Sequence, residues 1–271
     1  MKLRLTLFAA LIFAAAGFGR PALAAQCTPP GGFSAFIDSF EAEAKSRGVS
    51  ARGLSALNGI ALDQGTLAMD RKVRASFKGN FEQFAAQRVT GGRVSKARGY
   101  LKSQAALFQR IEAQFGVPGP ILVAIWGMET DFGAVMGNKP VVNAIASLAY
   151  DCRRTDLFQR ELLAVLQIID RGDLTAAEMR GAGHGEIGQT QFLPSSFLQY
   201  AVDFDGNGKK DLMRSQADVL ASTANYLRGY GWQAGGGWQE GSPNFAVLSG
   251  WNKSSNYQRA IALFATKVAG G

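Results

Sequence analysis

Apolar residues fall into helical registers over most of this chain. Between residues 33 and 115 they recur at spacings of three and four, as in Phe36, Phe40 and Ala44 and again in Leu101, Ala105, Phe108 and Ile111, with breaks at Gly48, Gly91 and Gly92. A second, better-defined segment opens at Pro118 and Pro120, residues suited to a first helical turn, and predicts a helix over 118–133 that Gly133 closes. Further helices are predicted over 141–148, 157–171, 194–202 and 216–229. From residue 231 onward the chain is rich in Gly and Trp and carries a last helix over 257–268. Strands are few in this reading, so the expected class is mainly α, an α+β arrangement with a small β part.

One apolar run means something else. Lys2 and Arg4 precede residues 5–18, and Ala22-Leu23-Ala24 supplies an A-x-A site after Arg20 and Pro21, which reads as a cleavable signal peptide over 1–24. The run is 14 residues long, short of the roughly 20 that a membrane-crossing helix needs. Gln26 stands where a lipid-attachment signal wants a small residue before Cys27, so lipid anchoring is disfavoured. The expected product is a soluble periplasmic protein. Its expected divisions are an N-terminal helical region over 25–116, a core over 117–232 and a C-terminal segment over 233–271 that completes a cleft.

Export changes the charge and the cysteine chemistry. Cleavage removes Lys2, Arg4 and Arg20 and no acid, leaving 26 Lys and Arg against 21 Asp and Glu, a net +5. A basic exported protein suits an anionic envelope polymer such as peptidoglycan better than nucleic acid, although a merely soluble basic surface gives the same charge. Cys27 and Cys152 are the two cysteines, and an oxidising compartment favours one disulfide between them. His184 is the single histidine, so any Ser-His or Cys-His mechanism would have to pass through it.

Glu129 carries the first candidate chemistry. At 100° per residue Leu122, Ile125, Trp126 and Phe132 fall within roughly 60° of it, which places the carboxyl in the middle of an apolar face. Burial raises a carboxyl pKa and keeps the proton on at neutral pH, as a general acid requires; a core Glu paired with an Arg is the competing reading. Asp131 is two residues on and would point away, so this segment offers no second carboxylate for one bond.

Two loops carry the rest. Over 181–197 the chain reads G-A-G-H-G-E-I-G-Q-T-Q-F-L-P-S-S-F. Its glycines permit irregular backbone, and Gln189 and Gln191 offer neutral amides that suit sugar hydroxyl and acetamido groups. No Gly-Lys-Ser/Thr follows, so a phosphate loop is unsupported. His184 beside Glu186 is either a proton relay or a polar loop pair, the second being favoured. Over 203–211 the chain reads D-F-D-G-N-G-K-K-D, the start of an EF-hand loop, but position twelve is Arg214 where an EF-hand has a bidentate Glu. A structural calcium site of modified spacing, with Asp218 as the replacement acid, is expected over an ion-free turn.

Together the segments G-M-E-T-D-F-G, A-Y-D-C-R-R-T-D-L-F, G-Q-T-Q-F-L-P-S-S-F and D-F-D-G-N-G, collinear over residues 70–268, resemble the lytic murein transglycosylase B family, akin to glycoside hydrolase family 103 in the lysozyme-like superfamily. The resemblance implies a lysozyme-like core with an added helical domain. It implies cleavage of the bond between N-acetylmuramic acid and N-acetylglucosamine, with Glu129 as the one acid/base and 1,6-anhydro ends on the product. Arg153, Arg154, Gln191 and Asn252 match positions lining the glycan cleft, and Gln189 falls in the same stretch as a further substrate-binding candidate. Asp203, Asp205, Asn207, the Lys209 carbonyl and Asp218 match a metal loop. No organic cofactor is implied. Peptidoglycan strands are the expected partner, with cell-wall synthesis or remodelling proteins as further candidates and a monomer as the expected state. Ala182 departs from the family's serine, so a hydrogen bond to substrate is either missing or supplied by His184. The alternatives are a hydrolytic muramidase of the same fold, a non-catalytic glycan-binding protein and a calcium sensor.

Overall fold

The structure, a computed structural model, describes residues 24–72 and 80–270. The export signal expected over 1–24 lies outside them apart from Ala24. The described residues are mainly helical, as expected. The first half forms α1 (Gly32–Ser46), α2 (Ala51–Leu54), α3 (Gln64–Lys72), α4 (Phe81–Arg88), α5 (Gly91–Ser103) and α6 (Ala105–Phe115). Next comes α7 (Gly119–Thr130), then β1 (Lys139–Pro140), α8 (Val141–Tyr150), α9 (Thr155–Arg171) and β2 (Arg180–Gly181). The chain ends in α10 (Pro194–Tyr200), α11 (Gln216–Gly229), α12 (Pro243–Trp251) and α13 (Ser255–Ala269). The small β part is one antiparallel pair, Lys139 opposite Gly181 and Pro140 opposite Arg180.

The axis of the fold is α7. Residues Ile121, Leu122, Val123, Ala124, Ile125 and Trp126 expose nothing to solvent, and α5, α6, α11 and α13 pack around them. A helix apolar on every side is a buried one. This corrects the single apolar face expected from the projection, since over this stretch α7 has no solvated side. The helix is also shorter than predicted. Asp131 and Phe132 take left-handed backbone (φ 52° and 62°), and the Phe132 N–H closes the last turn on the Trp126 carbonyl. Asp131 therefore turns away because it lies past the helix end, where its carboxylate meets Arg93 at 3.3 Å and Lys96 at 3.9 Å. The expected direction stands, for a different reason.

Around this axis the other helices form a second layer in which α9 contacts α2, α8 and α10. Cys27 and Cys152 are joined as a disulfide, fastening the start of the described chain to the α8–α9 turn. Nearby, Ala25 donates its N–H to Glu43 at 2.9 Å and accepts from Gln159 at 2.6 Å, so the segment is also held by its backbone. The helix α12 was absent from the predicted elements. It spans nine residues, and only Asn244 and Leu248 are buried, too few apolar anchors to show a register.

Candidate active site

The last turn of α7 delivers Glu129 into a cleft of about 1050 Å³. The carboxyl is half-buried, and burial is the largest influence on it, lifting its pKa from 4.5 to about 7. Trp251 and Tyr257 donate hydrogen bonds that lower it, the Glu186 charge raises it, and the Arg88 charge lowers it. The Trp251 indole N–H reaches Oε1 at 2.8 Å and the Tyr257 hydroxyl reaches the same oxygen at 2.7 Å. Both bonds are accepted by Oε1, which leaves Oε2 without those donors. The negative end of the α7 dipole lies at this turn and further disfavours the anion. Tyr257 itself is pushed well above the usual phenol range, first by burial and then by the adjacent Glu129 charge.

Thr130, the next residue, fixes the helix end to the glycine and glutamine loop. Its hydroxyl donates to the Gln189 carbonyl and accepts from the Gly133 N–H at 2.9 Å. The Gln189 side chain is buried, its Oε1 accepting from the Trp126 indole at 2.9 Å and its Nε2 donating to the Met213 carbonyl at 3.1 Å. Gln189 thus does not present its amide to the cleft, contrary to the expectation. A buried amide must satisfy its donors and acceptor, and here the protein supplies both partners.

Immediately before it, the loop runs with alternating burial: Gly181, Gly183 and Gly185 inward, Ala182, His184 and Glu186 half-exposed. The inward positions have no room for a side chain, since a Cβ at Gly185 would lie 2.1 Å from Ile145 and one at Gly181 would lie 1.9 Å from the Glu186 carbonyl oxygen. His184 and Glu186 therefore face the cleft with Gln191, whose Nε2 donates to the Gly188 carbonyl at 2.8 Å. Glu186 Oε1 lies 3.7 Å from His184 Nδ1.

The cationic side of the cleft hangs on Asp70, a carboxylate that sequence reasoning passed over. Asp70 is buried and binds the guanidinium groups of both Arg153 and Arg154 through opposite oxygens. His184 Nε2 stands 3.4 Å from the same carboxylate. Asp151 steadies Arg153 through a 3.1 Å bond to its Nε. Arg153, Arg154 and Asn252 all line the cleft. Asn252 follows α12, so the unpredicted helix is what brings both Trp251 and Asn252 to the site. Leu157, Phe158 and Leu193 add apolar wall. Each missed residue lacked a local signal: Asp70 lies in a polar helix, and Trp251 and Tyr257 reach Glu129 only across more than a hundred positions.

The acidic loop between α10 and α11 brings one carboxylate oxygen each of Asp203, Asp205 and Asp218 within 4.8 Å of one another. Asp218 is fully buried, and burial is the largest of the influences that raise its pKa. It accepts from the Phe204 and Asp211 N–H groups at 2.7 and 2.8 Å. Asp203 accepts from Gly206, Asn207 and Gly208, which curls the loop around it. Asn207 and Lys209 sit on the same curl, the Asn207 amide oxygen accepting from the Lys209 N–H at 2.9 Å. Arg214, at the position where an EF-hand has its bidentate Glu, binds Asp211 and Glu178 instead at 2.7 and 2.8 Å. The donors are all oxygen and their charges converge, which fits a hard divalent cation.

A family model, the transglycosylase SLT domain, matches residues 32–242. The chain is 38% identical over 122 residues to the membrane-bound lytic murein transglycosylase B of Escherichia coli K12, an alignment covering 45% of this chain and 34% of that protein. The matched stretch thus spans about a third of that relative's length. SltB3 of Pseudomonas aeruginosa, in complex with NAG-NAM-pentapeptide, superposes with a TM-score of 0.83 at 31% identity, covering 88% of this chain and 80% of its own. The same protein is also known in complex with NAG-anhNAM-pentapeptide. Escherichia coli Slt35 in complex with calcium shares the fold, with a TM-score of 0.75 at 23% identity over 86% of this chain and 92% of its own.

Proposed function

We infer the function of this chain from the premise that it belongs to the transglycosylase SLT domain family, whose model matches most of its length: it is a lytic transglycosylase of peptidoglycan. The observation that carries this reading is a carboxyl whose pKa is raised to about 7, lining a cleft of about 1050 Å³ together with Arg153, Arg154, Gln191 and Asn252. Glu129 protonates the glycosidic oxygen between N-acetylmuramic acid and N-acetylglucosamine as the bond to the muramyl C1 breaks. The C4 hydroxyl of the departing sugar leaves with that proton. The muramyl C6 hydroxyl then attacks C1, giving its proton to the Glu129 carboxylate, which restores the acid and closes a 1,6-anhydro ring. No water is consumed. Trp251 and Tyr257 hold Oε1, so Oε2 is the oxygen that gives and takes the proton.

Arg153, Arg154, Gln191 and Asn252 line the path of the strand. The arginines, spread and fixed by Asp70, suit the carboxylates of muramyl and stem-peptide groups. Asp203, Asp205, Asn207, the Lys209 carbonyl and Asp218 would hold a calcium ion whose role is to stabilise the loop. We place the working protein in the periplasm as a monomer after export, with a helical region over 25–116, the catalytic core over 117–232 and a closing segment over 233–271. Among the described residues no single helix is long and apolar enough to cross a membrane.

Glu186 favours a second reading. It lines the same cleft, and a hydrolytic muramidase would use such a carboxylate to activate water. Digestion of purified sacculi with mass analysis of the muropeptide ends separates the two. The lyase releases 1,6-anhydromuramyl ends and the hydrolase reducing ends. Glu129→Gln abolishes cleavage in either case while leaving glycan binding; a Glu129→Gln protein that cleaves sacculi at the wild-type rate overturns the role of Glu129.

A further inference from the structure

The lyase reading gives Glu186 no step, yet its carboxylate stands in the catalytic cleft. It is half-exposed, forced to face the cleft by the glycines on either side of the alternating loop, and its Oε2 accepts from the His184 N–H at 3.2 Å. His184 is wedged between two carboxylates: Nδ1 lies 3.7 Å from Glu186 and Nε2 lies 3.4 Å from Asp70. That Nε2 is inaccessible to solvent and has no well-formed hydrogen bond among the described residues, so it cannot turn to a sugar while this arrangement holds. Asp70 is in turn committed to Arg153 and Arg154. Glu186, His184 and Asp70 thus form a row that ends at the arginine pair, in the cleft that Glu129 also lines.

We propose that Glu186 is a positioning residue for the proton-transfer step: its negative charge acts on Glu129 through the cleft, and the His184 backbone N–H holds its carboxylate in place. The inference rests on the lyase reading, in which no second carboxylate touches the reacting atoms. Two carboxylates in one low-dielectric cleft disfavour each other's ionised form. Accordingly the Glu186 charge is among the influences that raise the Glu129 pKa, and the Arg88 charge opposes it from α4. Among the described residues, the neutral donors Trp251 on α12 and Tyr257 on α13 also meet Glu129. The alternating pattern leaves His184 and Glu186 as the side chains the loop can send into the cleft besides Ala182.

The test is the pH dependence of kcat/KM on soluble glycan strands together with the 13C carboxyl titration of Glu129, read by NMR in the purified protein without substrate. Glu186→Gln should move the alkaline limb, and the Glu129 titration with it, down by roughly half a pH unit to one unit. Glu186→Asp, which keeps the charge, should restore most of the wild-type position. Rescue by the variant that keeps the charge is the signature, because it would not reverse a structural disturbance of the loop. Loss of cleavage at every pH in Glu186→Gln with a folded protein would make Glu186 a reacting group and overturn the proposal. So would titrations of Glu129 that coincide in wild type and Glu186→Gln. The NMR arm stands whether or not the products carry anhydro ends, so failure of the lyase reading and failure of this inference are told apart.

Discussion

Trp251 donates its indole N–H to Oε1 of Glu129 at 2.8 Å, across 122 positions of sequence. The bond joins the end of α12 to the end of α7, and the Tyr257 hydroxyl of α13 shares the same acceptor. Both donors favour the ionised carboxyl and so oppose the burial that raises its pKa. Replacing either by Phe should therefore raise the Glu129 pKa further and push the alkaline limb of kcat/KM to higher pH. The carboxyl also loses a fixed orientation, for which a fall in kcat on the order of tenfold is expected. An alkaline limb that moves to lower pH in Trp251→Phe would contradict this account.

The elevated Glu129 pKa makes a statement about stability whose sign can be worked out. Its ordinary value is 4.5 and its folded value about 7. Below pH 4.5 both states hold the proton and the group is neutral to folding. Between the two values the folded state binds a proton that the unfolded state has lost, so stability falls as pH rises, and above 7 the penalty is complete at up to about 3 kcal/mol. Glu129→Gln carries no such penalty. It should melt higher than wild type at pH 8 and close to wild type at pH 4. A difference in melting temperature that is the same at both pH values would rule out this linkage.

Asp70 gives a prediction that separates binding from chemistry. Its buried carboxylate holds Arg153 and Arg154 at once, while Glu129 is held by other residues. Asp70→Asn should release the arginines, raise KM for glycan strands several-fold and leave kcat comparatively intact. It should also lower stability by about 1–3 kcal/mol, the usual cost of leaving buried partners unmatched. Steady-state kinetics decide it, and a loss confined to kcat would count against the anchor.

The helical class, most element positions and the collinear motifs were legible because helices over segments such as 216–229 bury a regular stripe that local periodicity reports. The burial that raises the Glu129 pKa was legible in the apolar residues beside it. What stayed hidden is long-range. Whether Gln189 faces substrate or core depends on Trp126 and the Met213 carbonyl reaching it, and nothing in the local pattern says so. Asp70, Trp251 and Tyr257 act across the fold. The loop holding His184 and Glu186 is an intermediate case: its irregular backbone was legible in its glycines, and residues 182–184 do form a bend and turn, but which of its side chains face the cleft was not.

The acidic loop supports a last prediction. Asp218 is fully buried and its burial raises its pKa, while carboxylate oxygens of Asp203 and Asp205 lie within 4.8 Å of one of its own. Three carboxylates so placed repel one another, and a divalent cation converts that repulsion into attraction. Calcium should therefore bind the folded protein and stabilise it. With binding confined to the native state, the gain is RT ln(1 + [L]/Kd), about 2.7 kcal/mol at a hundred times Kd. For a chain of this size that corresponds to a rise in melting temperature of roughly 5–10 °C. Asp205→Ala should remove most of the calcium-induced rise. Asp218→Asn should remove it too. Because the residues of this loop do not line the cleft around Glu129, the metal-free protein should still cleave sacculi at low temperature and lose activity earlier on heating. Protein first freed of metal by chelator, then melted with and without added calcium, gives the measurement; identical melting curves would leave the loop as a turn closed by its own hydrogen bonds.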